Sequence, residues 1–141
     1  MTFAGMNYLA VLIAAVAAWL AGAVWYQALA KPWMAAAGIT PEAMQAARQR
    51  PGAVLPFIYA FVAALIIAWV LAGVLGHLGP GQVTLRNGVV SALFCWFGFV
   101  FTTMLVNYSF GMRSSKLLLI DGSYWLLVMV MMGAIIGGMG V

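Results

Sequence analysis

The chain has 141 residues, 67% of them hydrophobic and 6% charged, where a soluble domain carries about 25% charged residues. A chain this short leaves much of its surface exposed however it folds, so the composition excludes a water-soluble globule and makes lipid the solvent for most of the surface. The net charge of +4 comes from six basic and two acidic residues, scattered between apolar runs rather than gathered into the basic stripe that nucleic acid requires.

A helix needs about 20 apolar residues to cross the hydrocarbon of a bilayer, and four segments qualify: residues 3–30, 54–77, 87–110 and 117–139. The expected fold is an all-α membrane protein, one transmembrane domain over residues 1–141 built as a four-helix bundle. The first segment lacks the basic start of a secretory signal and exceeds the usual length of its apolar core, so it is read as a span, ending where Lys31 and Pro32 supply a charge and a helix breaker. Between spans one and two, Thr40-Pro41-Glu42 has the order of an N-cap, a proline at the first helical position and an acid in the first turn. A short interfacial helix to about Arg50 is expected there. Pro51 and Pro56 open the second span and Gly79-Pro80-Gly81 closes it.

Basic residues resist translocation and collect on the cytoplasmic side. With four spans, the first and third connections share a side and together hold Lys31, Arg48, Arg50, Arg113 and Lys116, against Arg86 at the other. Both termini are therefore expected outside the cytoplasm.

Lipid gives helices little hydrophobic reason to associate, so close approach depends on small residues. Span one carries Ala10, Ala14, Ala18 and Gly22 at a spacing of four, span two carries Ala60, Ala64, Ala68, Ala72 and Gly76, and span four carries Gly133 and Gly137. Such rows form grooves for another span of the same chain or for a neighbouring subunit. Span three differs: Phe94, Trp96, Phe97, Phe99 and Phe101 surround Gly98 and offer bulk to grooves or to lipid.

Trp25, Tyr26, Trp33, Tyr108, Tyr124 and Trp125 fall near the cytoplasmic ends of spans one, three and four, where an aromatic belt is expected. Tyr26 precedes Lys31 by five positions and Tyr108 precedes Arg113 by five, a match too short to define a repeat. Asp121 is the only acid within an apolar run. With a helix start near Leu117 it lies about one turn below the interface, where the helix dipole and Lys116, Arg113 or Lys31 are the expected compensations. Asn107 is placed to hydrogen-bond Asp121, Tyr124 or span one across the bundle. No catalytic set emerges: His77 stands alone, Cys95 is the single cysteine, and two acids give no metal-ligand cluster. Neither a cofactor nor a metal is expected.

Asn7-Tyr8-Leu9-Ala10-Val11, Gly22-Ala23-Val24-Trp25-Tyr26 with Lys31-Pro32-Trp33-Met34, and Thr40-Pro41-Glu42 resemble the bacterial family called domain of unknown function 1761. Asn107-Tyr108-Ser109-Phe110 with Arg113 and Ile120-Asp121-Gly122-Ser123-Tyr124 are similar to its second half. The resemblance implies a four-span protein of the bacterial cytoplasmic membrane and transfers no activity. It marks Trp25, Tyr26, Trp33, Asn107, Arg113 and Asp121 as matching positions, which with Lys31 and Tyr124 form the candidate polar cluster. The expected role is association, as a homo-oligomer or accessory subunit of a membrane complex, and not enzymatic. An oligomeric transporter or channel for a small solute or proton is the second reading.

Overall fold

Four helices long and apolar enough to cross a membrane carry most of the chain, in a computed structural model that describes residues 2–141. Helix α1 spans Tyr8–Ala28 and starts where the Asn7 side chain accepts a hydrogen bond from the Ala10 amide at 3.1 Å. The apolar residues before it, read as part of the first span, are not helical. The Ala4 amide instead donates to the Gly76 carbonyl at 2.9 Å, and a Cβ on Gly76 would run into the Phe3 ring and the Gly5 carbonyl. The small-residue row of the second span thus ends by seating the chain's own amino-terminal strap.

Pro32 does not terminate the helical course where expected. It has no N–H and its ring crowds the carbonyl four residues back, so the break comes upstream, at Leu29 (φ −105°, ψ 19°), and a second helix, α2, resumes over Ala30–Ala37. Gly38, at φ 70°, closes α2 in the left-handed conformation that glycine adopts most cheaply. Helix α3, Pro41–Gln49, has the cap read from the sequence: Thr40 Oγ1 accepts from the Ala43 amide at 3.1 Å. Helix α4 covers Leu55–Gly76. The third span consists of α5 (Leu85–Cys95), one wide π-helical stretch (Trp96–Phe101) and α6 (Thr102–Phe110). Helix α7, Ser115–Met139, begins where Ser114 Oγ accepts from the Leu117 amide at 3.1 Å.

The small-residue rows are filled within the chain. Ala10, Ala14 and Ala18 of α1 and Ala64, Ala68 and Ala72 of α4 are buried in one cluster with Leu71, Leu75, Val128, Met132 and Ile136, while Ala60 stays exposed. The Gly133 and Gly137 groove of α7 receives α5. A Cβ on Gly133 would strike the Gly88 carbonyl, one on Gly88 would strike the Gly133 carbonyl, and one on Gly137 would meet the Thr84 carbonyl. Thr84, Gly88 and Ala92 are therefore a further small row at a spacing of four, on the span whose aromatics had suggested only bulk. Backbones this close gain dispersion contacts along their length, the main attraction available between helices in lipid.

Each four-residue step advances about 40° around a straight α-helix, so a row carried from Thr84 to Tyr108 would drift by about 240°. The π-helical stretch takes some of this back, because i→i+5 bonding widens the turn. The inward residues run Thr84, Gly88, Ala92 and Trp96, then step by five to Phe101 and on to Tyr108. Trp96 Nε1 donates to the Gly122 carbonyl at 3.0 Å, and the Trp96 and Phe101 rings lie 5.3 Å apart over that glycine.

Candidate functional site

Three of the candidate residues, Tyr26, Trp33 and Asp121, converge with Tyr108 where α1, α2, α6 and α7 meet. Because α7 starts at Ser115, Asp121 lies about 9 Å along its axis, deeper than the single turn expected, and it is 8% exposed. Both carboxylate oxygens are occupied. Tyr26 Oη of α1 donates to Oδ1 at 2.7 Å, Trp33 Nε1 of α2 donates to the same oxygen at 3.0 Å, and Tyr108 Oη of α6 donates to Oδ2 at 2.6 Å.

The expected pairing of Asp121 with Lys116, Arg113 or Lys31 is absent: among the described residues no basic nitrogen comes within 4.0 Å of a carboxylate. The three cations are exposed at the end of the bundle, and depth explains the difference. A lysine or arginine that followed Asp121 inward would bury a second ion, whereas phenols and an indole carry neutral donors on apolar bodies. Bonds to an ionised acceptor are also roughly twice as strong as neutral ones.

Asn107 does not join the site. It is exposed and makes no bond to Asp121, Tyr124 or α1; its neighbour Tyr108 faces the carboxylate, and adjacent residues point about 100° apart on a helix. Tyr124 contributes packing. A Cβ on Gly22 would sit 2.8 Å from its hydroxyl, so Gly22 makes room for a phenol, and the Tyr124 ring lies 5.0 Å from Tyr26, 6.5 Å from Trp25 and 5.1 Å from Trp125. Trp25 brings its indole N–H into the same cluster, buried and without a partner among the described residues. Lys31 and Arg113 stay outside the hydrogen-bonded set.

Tyr108 is the carboxylate-bonding position that sequence reasoning placed in the aromatic belt and left out of the candidate cluster. The signal for it was the matched five-residue offset from Tyr26 to Lys31 and from Tyr108 to Arg113: the two tyrosines hold opposite oxygens of one carboxylate. Chemically, the arrangement is a membrane-depth carboxylate that accepts three hydrogen bonds from donors on three other helices. It ties α1, α2 and α6 to α7 through neutral donors alone. Shallow grooves elsewhere, one of about 310 Å³ lined by Thr102, Thr103, Val106 and Asn107 and one of about 300 Å³ lined by Leu78, Gln82, Asn87, Val90 and Ser91, do not touch it.

Compared with known proteins, the chain matches no curated protein and no solved structure. A family described as a protein of unknown function, DUF1761, matches residues 9–137, which takes in every residue of the carboxylate site and all of the four spans but Tyr8, Gly138 and Met139. The chain belongs to the DUF1761 family.

Proposed function

We propose that this protein is a non-catalytic component of a bacterial cytoplasmic membrane that acts by association, as a homo-oligomer or an accessory subunit of a larger membrane complex. The rows of α1, α4 and α7 are already occupied within the chain, so they do not supply the contact surface. The observation that carries the reading is the exposed side of the third span. Gly98, Thr102, Thr103 and Asn107 are exposed there, and a Cβ on Gly98 would meet nothing within 4 Å. Thr102 Oγ1 and Ser109 Oγ are satisfied by the Gly98 and Leu105 carbonyls at 2.7 and 2.6 Å. Thr103 and Asn107 remain for another helix, and polar groups facing lipid favour helix association. The gathering of five cations at one end supports an orientation with both termini outside the cytoplasm.

Cross-linking tests this. In a Cys95→Ala background, Thr103→Cys oxidised in native membranes is expected to give a covalent dimer or a covalent adduct with a partner. Monomers alone, both there and in mild detergent, would end the association reading.

The transporter reading draws support from one observation, a membrane-depth carboxylate with neutral donors only, since such groups handle protons in many membrane proteins. It requires that Asp121→Asn abolish flux in reconstituted vesicles. Unchanged flux removes it and leaves association standing.

A further inference from the structure

The carboxylate site leaves a charge imbalance at its end of the bundle. Bonds from Tyr26 and Tyr108 to Asp121 bring the end of α1, the end of α6 and the start of α7 together, so Lys31, Arg48, Arg50 and Arg113, on the connections, and Lys116, in the first turn of α7, lie at one end. This placement comes from the helix packing, with no appeal to which side of a membrane that end faces. All five are exposed. The chain has two acids to set against them. Asp121 is buried and bonded by two phenols and an indole; Glu42, on α3, is exposed and, among the described residues, has no cation within 4.0 Å. The fold thus consumes its one membrane-depth negative charge without neutralising any of these cations.

The second observation is α3. Its polar residues Glu42, Gln45, Arg48 and Gln49 fall on one side and Ala43, Met44 and Ala47 on the other. Met44 is the only residue of the helix that is even half-buried. A short helix with a small apolar face and a basic end is of the kind that lies in a headgroup layer, and Arg48, with Arg50 just past its end, is what it offers to lipid phosphate.

We infer that this end of the protein is a binding surface for anionic lipid headgroups, contacted by Lys31, Arg48, Arg50, Arg113 and Lys116 together. The partner is a lipid carrying net negative charge: among the described residues the cations are unpaired, they lie beside the ends of helices long and apolar enough to cross a membrane, and the complementary charge at such an end belongs to the headgroup. The inference is independent of the association proposed for the third span.

The test uses the full chain reconstituted into nanodiscs of phosphatidylcholine containing one quarter phosphatidylglycerol by design, with the lipids retained after mild detergent extraction counted by native mass spectrometry. Phosphatidylglycerol is expected above its share of the disc. Each basic residue near an anionic surface contributes about 1 kcal/mol, which is about fivefold in affinity, so Arg48→Gln with Arg50→Gln lowers the enrichment severalfold. Arg86→Gln, at the opposite end, leaves it unchanged. In the unaltered protein, raising salt from 0.05 M to 0.5 M reduces the enrichment, because exposed charges are screened beyond a shorter distance; this measurement does not depend on any variant folding. Phosphatidylglycerol recovered at its bulk share, enrichment indifferent to salt, or equal loss from Arg86→Gln would overturn the inference.

Discussion

The two halves of the third span meet the same partner helix in opposite ways. Along α5, Gly88 and Ala92 are buried and the backbone lies directly against Gly133 and Gly137 of α7. Along the π-helical stretch and α6 nothing is buried, and this half is held through the tips of long side chains, Trp96 to the Gly122 carbonyl and Tyr108 to Asp121. Within one segment the chain therefore uses both means by which helices associate in lipid: contact between backbones where side chains are absent, and polar reach where backbones stand apart. The first leaves no space for change. The second tolerates distance and depends on a few atoms.

The contrast is broken most severely at Gly88. Gly88→Leu places a side chain against the Gly133 carbonyl, a backbone atom that cannot swing away, and is expected to cost about 3 kcal/mol or more, read as a loss of folded protein in an SDS titration from mild detergent. Next comes Asp121→Ala, which leaves the donors of Tyr26, Trp33 and Tyr108 facing each other without an acceptor. A cost of about 2–3 kcal/mol is expected in the same titration, with Asp121→Asn losing about half as much because the amide keeps one acceptor oxygen. Tyr108→Phe removes a single donor, and about 1 kcal/mol follows. If Tyr108→Phe costs as much as Gly88→Leu, the division between the halves is wrong. The smallest effect is expected at Gly98, where Gly98→Ala shifts stability by less than about 0.5 kcal/mol. Gly98→Leu sharpens the comparison further: it is expected to weaken the proposed cross-link at Thr103→Cys while leaving the melting temperature in detergent unchanged.

What could be read from residues alone follows the same division. The four apolar runs, the cap at Thr40 and the rows on α1, α4 and α7 are local patterns, and the structure carries each of them apart from the start of the first run, before Tyr8, and Ala60 of the α4 row. The row Thr84, Gly88 and Ala92 is equally local, yet the large aromatics that follow drew the reading of span three toward bulk. Choosing Tyr108 over Asn107 was a different problem. Which of two adjacent residues faces inward depends on helix phase, and the π-helical stretch between Trp96 and Phe101 resets that phase. Nor did the ion pairs expected for Asp121 allow for depth: the cap at Ser114 starts α7 earlier than the apolar run, which carries the carboxylate below the reach of its basic neighbours. The matched offsets of Tyr26 and Tyr108 held the answer, but two positions are too few to separate from chance in a sequence rich in aromatics.

The break at Leu29 settles how the segment before the first loop relates to the thickness of a bilayer. An unbroken rod from Tyr8 to Ala37 would measure roughly 45 Å, well beyond the 30 Å or so of hydrocarbon, and would have to tilt steeply or project into water. By interrupting the rod ahead of Pro32, the chain shortens the unbroken rod to Tyr8–Ala28 and sets the surplus against α7, with Trp33 pinned to Asp121 as the fastening.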